Sequence, residues 1–346
     1  MHRETTRLND AVERIDDPVL ETDGRCEHIM ALHFDPRGDY DEGIARCVVS
    51  REGDVEQPGF IDRSRIHTVD VRSPSDVELG PELDIAESQA VVEDLPEFDR
   101  CNFLGFEDPN LWRDRESGVL HFYCTIPFLD RNAGDISVYL GHAEGPDLHS
   151  LRMTAPVLEP EPGVHSGAKE VAIAPHSQEG KGPRYNLVES NDVVEGTWYS
   201  VLRTAVAPDL TGPWEYGEVP LHPRDHDYDW FAGHASPGPL LPPEFVDVGA
   251  SRRVGLLNGR EGERHEDGAL TFGSFTVGLS VYDFERGTVE WVSPEPVIED
   301  PEAETITFAS AYRLLGPETA LVYAHVDDSF VRAYRVDTDA LESCLP

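Results

Sequence analysis

One short phrase recurs along the chain and constrains its fold more than any other feature. It is an acidic or proline-rich hinge, an apolar pair, then acid or proline again. It reads DDPVLE around Pro18, VELGPELD around Leu83, APVLEPEP around Val157, VPLHPRD around Leu221 and EPVIEDPE around Val297. Successive copies stand about 65–75 residues apart, the spacing expected of a repeated structural unit. Two copies also share their upstream text, AEGPDLHSLRMTAPVLEP from Ala143 and AVAPDLTGPWEYGEVPLHP from Ala205.

Between the copies the apolar runs are short, β-branched and aromatic. Examples are VLHFYCTI (119–126), ISVYLGHA (136–143), WYSVLRTAV (198–206), SFTVGLSVYDF (274–284), TALVYAHV (319–326) and SFVRAYRV (329–336). They break at Gly, Pro, Asp or Asn, which marks strands rather than helices. The 29 glycines and 27 prolines favour frequent turns. Only residues 4–15 carry a helix-like pattern. Four strands in each of five units predict an all-β, five-bladed β-propeller, closed so that no long edge is exposed. A pair of β-sandwiches is the structural alternative. No linker divides the chain, so one domain spans 1–346, with blades at 20–80, 85–155, 160–220, 225–298 and 303–343.

Charge narrows the function. The chain has 67 acidic and 28 basic residues, a formal net charge of −39. That balance excludes nucleic acid and an anionic membrane as main partners, since both require a basic face. Only Lys169 and Lys181 are lysines; every other basic residue is arginine. Such a composition suits a salt-loaded cytoplasm, where molar salt shortens the screening length to about 3 Å. The N-terminus lacks the apolar core of a signal peptide, and no apolar run is long enough to span a membrane. Five cysteines without CxxC or metal-ligand spacing read as reduced thiols of a cytoplasmic protein.

Asp108 lies in GFEDPNLW (105–112), ahead of a strand. Pro109 holds it extended and removes a ladder donor, which suits a carboxylate at the inner end of a blade. Paired acids there supply a general acid. Lys169, in GAKEVAIAP (167–175), is a lysine kept where lysine has nearly vanished; a compact three-donor charge serves a sugar hydroxyl or a carboxylate. Strand alternation sets Lys169 and Glu170 on opposite faces, with Lys169 inward. His234, in FAGHASPGPLL, stands in a rigid Gly/Pro turn. His28, His325, Trp112, Phe231, Asn258 and Arg260 are further candidate lining groups.

Together these phrases resemble the five-bladed propeller glycosidases, and most closely glycoside hydrolase family 130, the β-mannoside phosphorylases and hydrolases. GFEDPNLW resembles that family's E-D-P-R segment, IARCVVSREG (44–53) its first-blade hairpin, and GAKEVAIAP its third-blade lysine segment. WFAGHASPGPLL (230–241) with VGLLNGREG (254–262) resembles its fourth-blade turn and strand, and 275–305 with 320–341 its last blade. The resemblance implies Asp108 as general acid beside Glu107, Lys169 as the third-blade lysine, and Asp327 as the last-blade aspartate that binds the reacting sugar. In the related arabinanase- and invertase-like propellers, three blades each bring one acid to the cavity. Asp35, Asp108 and Glu170 imitate that trio, which makes Glu170 a rival acid.

Departures from the family pattern bear on the reaction. Asn110 replaces the arginine of E-D-P-R, no arginine stands in MALHFD (30–35), and Glu189 and Ser190 replace a third-blade His-Arg. A phosphate dianion needs charge-assisted donors, so these losses favour inverting hydrolysis of a mannoside-like oligosaccharide over phosphorolysis. Asp327 or Glu189 is then the candidate base. The alternatives are a β-mannoside phosphorylase, with cations from positions such as Arg46, Arg260 or Arg313, and a non-catalytic carbohydrate-binding propeller. No cofactor or metal is expected, although an acid-rich cavity is compatible with a structural Ca²⁺.

The charge yields a first test. The thermal unfolding midpoint is expected to rise as KCl goes from millimolar to molar; a midpoint flat across that range removes the halophilic reading.

Overall fold

Strand pairing is local throughout: nearly every strand hydrogen-bonds to its neighbour in sequence, antiparallel. The computed structural model describes residues 12–346 other than 56, 58, 131, 162–163, 177–181 and 267–268. The first group runs His28–Phe34, Glu42–Glu52, Ile61–Ser73, Asp76–Glu82. The second has Cys101–Phe103 and Glu107–Arg113 sharing the inner place, then Leu120–Asp130, Ile136–Gly145 and Arg152–Met153. The third runs Lys169–Ala172, Arg184–Val194, Thr197–Ala207, Glu215–Tyr216, and the fourth His234–Leu240, Arg252–Arg260, Phe275–Asp283, Thr288–Val292. These two join through a single parallel bridge, Ser200 to His234. The last group is Thr307–Leu314, Thr319–Val326 and Phe330–Asp337, completed by Val12–Arg14 from the other end of the chain.

The first strands of the five groups touch one another in a closed cycle around an axis. The same junction recurs between groups. The start of a third strand bridges in parallel to the entry of the next first strand: Ser64 to Gly105, Val138 to Gly167, Ser200 to His234 and Phe275 to Ile306. At two of these places only glycine fits. Gly105 and Gly167 have φ of 108° and 132°, and a Cβ would sit 1.9 and 1.8 Å from the carbonyl oxygens of Ser64 and Val138.

The recurring phrase has a structural identity. It leaves each group along the outside, and its apolar pair docks on that group's third strand. Leu158 pairs with Leu140, Leu221 with Leu202, Ile298 with Val277, and Leu20 with Val331; Leu83 N–H donates to the carbonyl of Ile66. Val19, Leu20, Val157, Leu158, Leu221, Val297 and Ile298 are all buried. The core accordingly lies between neighbouring sheets rather than at the axis.

Two expectations are corrected. Val12–Arg14 is not the end of a helix but a strand paired with Phe330–Asp337, because that edge needs a backbone partner. The rest of the expected helix lies outside the described residues. Among the described residues the α-helices are the short Ser88–Glu93 and Thr338–Glu342. The five cysteines are not all thiols: Cys26 and Cys47 form a disulfide, their Cα atoms 5.5 Å apart, and so tie the first group's second strand to its entry loop. No helix among the described residues is long and apolar enough to cross a membrane.

The closing strand is clamped by charge. Asp300, in the last copy of the phrase, accepts from the Tyr334 hydroxyl at 2.5 Å and lies 3.3 Å from Arg332 Nε and 3.6 Å from Arg14 Nη1. Asp300 and Arg332 are buried. Removing one member of a buried pair leaves the other charge uncompensated. Asp300→Ala is therefore expected to lower the unfolding free energy by about 3–5 kcal/mol in denaturant titrations.

Candidate active site

Every first strand carries a bulge. The register shifts fall at Met30/His33, Glu107/Asn110, Lys169/Val171, Pro237/Leu240 and Ala309/Ala311. In three of them the bulged residue takes a left-handed backbone: Ala31 at φ 49°, Asp108 at 45° and Glu170 at 47°. Such a conformation costs a non-glycine residue about 1–3 kcal/mol and persists only where the surroundings impose it. A bulge also re-aims side chains. At Lys169–Glu170 it breaks the expected alternation, so both residues line one central cavity of about 650 Å³.

Arg46 organises one wall. It is buried on the second strand of the first group and reaches across to the second group. Its Nη1 is 2.7 Å from Asp108 Oδ1, its Nη2 2.9 Å from Glu107 Oε1 and 3.6 Å from Asp62, and its Nε donates to Ser64 at 2.9 Å. Thr125 donates its hydroxyl to Asp108 at 3.2 Å. Arg51 grips Asp62 with two hydrogen bonds of 2.7 and 2.8 Å.

The opposite wall is built on Glu189. Lys169 Nζ lies 3.4 Å from Glu189 Oε1, and His234 Nε2, on an imidazole that burial pushes below its ordinary pKa, lies 3.0 Å from Oε2 outside hydrogen-bond geometry. Burial pushes Glu189 up, but the proximity of His234 and Lys169 outweighs it and brings it down to about 2. Glu189 is thus a carboxylate at any working pH. Glu170 is the reverse case. Burial first, then the charges of Asp108 and Glu189, push it well above the ordinary range, against the pull of Lys169 and Arg46. Burial also raises Glu107, Arg46 offsetting this only in part, with Asp108 and Asp62 adding to the rise.

The last group contributes Asp328, not Asp327. Asp327 and Asp328 are the first two residues of a tight three-residue hairpin turn, with φ of 48° and 49°. The Asp327 carboxylate turns away and accepts the backbone N–H groups of Glu304, Thr305 and Ile306, each at 2.9 Å. Asp328 enters the cavity, 3.1 Å from His325 Nε2. Burial pushes it up, yet His325, Arg51 and Arg46 bring it to about 2. His325 accepts the Ala31 N–H on Nδ1, which leaves Nε2–H to face Asp328.

The structure thus brings Glu107, Asp108, Lys169, Glu170, Glu189, His234, Arg260 and His325 to one cavity. It leaves others out. Asn258 is buried and clamps the backbone of Ala309 with both ends of its amide. Asp35 pairs with Arg113, which fixes it away from the axis; Ala31 stands at the first group's bulge instead. His28 meets Ser329 at the rim of the sheet, Phe231 and Trp112 pack in core clusters, and Arg313 donates to the Asp39 carbonyl. Asn110 donates to the Val171 carbonyl and staples two first strands. Sequence reasoning passed over Asp62 and Asp328. The signal for Asp328 was the doubled acid of YAHVDD; Asp62, in a hairpin arm, carried none. The cavity carboxylates do not converge as metal ligands. Among the described residues the one such convergence is His121, His142 and Glu144, outside the cavity.

No protein-family model matches the chain, and no curated protein matches its sequence. Solved structures do resemble it. A β-1,2-mannobiose phosphorylase from Listeria innocua, solved with β-1,2-mannobiose, superposes with a TM-score of 0.63 at 13% identity, over 96% of this chain and 99% of the other. A mannose phosphorylase from Leishmania mexicana, solved with phosphate, gives 0.56 at 14% identity over 96% and 91%. A thermostable family-43 glycoside hydrolase gives 0.52 at 11% over 91% of each chain. At such identities the likeness establishes the fold, an all-β propeller of the kind these enzymes share.

Glu170 yields a stability test. Its pKa is raised on folding, so the folded state is favoured below the unfolded carboxyl range and penalised as pH rises through that range. Glu170→Gln removes the penalty. Its melting temperature is expected to match the wild type near pH 4 and to exceed it by a growing margin toward pH 7.5.

Proposed function

We propose that the chain is a five-bladed propeller glycosidase that cleaves a mannoside-like or related oligosaccharide by inverting hydrolysis. The five strand groups and the closed cycle of first strands support the count, with blades at 20–80, 85–155, 160–220, 225–298 and 303–343. The observation that carries the reaction type is Glu189. It is a buried carboxylate seated between Lys169 and His234, so these two groups already hold an anion supplied by the chain itself. A phosphate dianion would have to displace it or be buried against it.

The charges divide the chemical roles. A general acid must carry a proton and a general base must not. We assign the acid to the Asp108–Glu170 pair, with its resting proton on Glu170. Asp108, gripped by Arg46 and Thr125, keeps that proton in place by its charge. Glu189 is the base. Water attacks the anomeric carbon as its proton passes to Glu189. The bond to the leaving oxygen breaks as that oxygen takes the proton of the acid pair. Inversion of this kind places acid and base about 6.5–9.5 Å apart. Asp328 and His325 stand across the opening, where they accept and donate to sugar hydroxyls.

The test is turnover of manno-, gluco-, arabino- and fructo-oligosaccharides in molar KCl, with and without phosphate. Free reducing sugar is expected in both conditions, with no sugar 1-phosphate. Asp108→Asn and Glu189→Gln are each expected to lose at least about 10²-fold in kcat. Phosphate-dependent turnover overturns the hydrolytic reading; binding without turnover, unchanged in Asp108→Asn, overturns the enzymatic one.

A further inference from the structure

The floor of the cavity is charged, whereas its mouth is mostly apolar, with Glu263 and Asp328 the charged groups beside it. In the first four groups, the connection between the second and third strands reaches the cavity end and places an apolar side chain on the rim. These are Phe60 in the first, Ile136 in the second, Trp198 in the third, and Leu270 with Phe272 in the fourth. The last group's hairpin brings Asp328 instead.

Two of these side chains are left in water at a cost. Trp198 is 52% exposed and Ile136 40%, and Val193, directly across the hairpin from Trp198, is 51% exposed. Scattered surface hydrophobics need no explanation, but apolar groups gathered at one opening mark a binding surface. The hairpin is also built to hold its position. Glu195 and Gly196 both have positive φ, at 55° and 86°, the tight two-residue turn that fixes strand register. Nothing in the fold requires tryptophan there: the side chain is not part of a core cluster.

We propose, resting on the glycosidase reading, that the substrate is amphiphilic: a glycoside whose sugar occupies the charged floor and whose aglycone is a hydrocarbon chain or ring held in this collar. A second sugar is the competing occupant, since a pyranose stacks on tryptophan. It would set its hydroxyls against Phe60, Ile136, Leu270 and Phe272, which return no hydrogen bonds. A hydrocarbon loses nothing there and gains with every methylene removed from water.

Calorimetric titration tests this in molar KCl, with the Glu170→Gln variant so that nothing is consumed. The probes are methyl and octyl glycosides of mannose, glucose, galactose and arabinose, below micelle-forming concentration. In the pair whose sugar fits, the octyl glycoside is expected to bind at least tenfold tighter than the methyl one. Adding Trp198→Ala, or separately Ile136→Asn, is expected to cut that ratio at least fivefold and leave the methyl glycoside within twofold. Equal affinities, or a ratio indifferent to both substitutions, overturn the proposal. So does binding of disaccharides but of no octyl glycoside, an outcome that leaves hydrolysis standing. An octyl preference sensitive to Trp198, in a wild-type protein that turns over no glycoside, upholds the collar and removes the hydrolytic reading.

Discussion

One buried guanidinium holds the site together. Arg46 starts on the first group, where it touches Asp62 and the Ser64 hydroxyl, and spans the junction to the carboxylates of Glu107 and Asp108 on the second. Without it, Asp62, Glu107 and Asp108 would crowd one wall as like charges removed from water; even with it, burial holds Glu107 above the ordinary carboxylate range. With it, Asp108 is a charged neighbour and Glu170, beyond it, is the carboxyl that keeps a proton. The two walls therefore communicate through charge: cation on the Asp108 side, proton on Glu170, and a second cation, Lys169, before Glu189. A geometry in which acid and base coexist at one pH depends on that alternation.

The backbone that delivers these groups is strained where they stand. A flat strand would send Lys169 and Glu170 to opposite faces; the bulge lets both enter one cavity. The same device at Asp108 aims its carboxylate at Arg46. At the matching place in the first group the residue is Ala31, with the same left-handed φ but no functional group. The geometry is thus a property of the propeller junction, and chemistry is added to it by side chain. This is why a site can be rewritten on a conserved frame by exchanging single residues.

That division explains what the sequence discloses. The repeat was legible because the docking phrase is local: a hinge and an apolar pair that must meet the third strand of their own group, as Leu158 meets Leu140. Asp108, Lys169 and His234 were legible because turn chemistry or rarity set them apart. The face of Glu170 was misread because period-two reasoning does not see a bulge. Asp327 was preferred to Asp328 because a tight hairpin sends adjacent, identical residues to different destinations, and only the partners decide which: three backbone N–H groups for one, His325 for the other. The Cys26–Cys47 bond and the N-terminal closing strand were illegible for a related reason, since both join segments by distance in space rather than by pattern.

The near-loss of lysine then has an interior meaning as well as a surface one. Arg46 and Arg332 each contact two or more carboxylates, and Arg51 and Arg113 take theirs with two nitrogens. A planar fork can do this; an ammonium, a compact point charge, serves such arrangements less well. In a chain with 67 acids and 28 bases, such sharing lets few cations offset many carboxylates. Lys169 is placed differently. It faces one oxygen of Glu189 and has open cavity beyond it, its side chain 45% exposed. A forked group would spend its donors on Glu189 and brace it; an ammonium leaves donors for whatever enters. Lys169 is thus a lysine whose remaining donors face the open cavity.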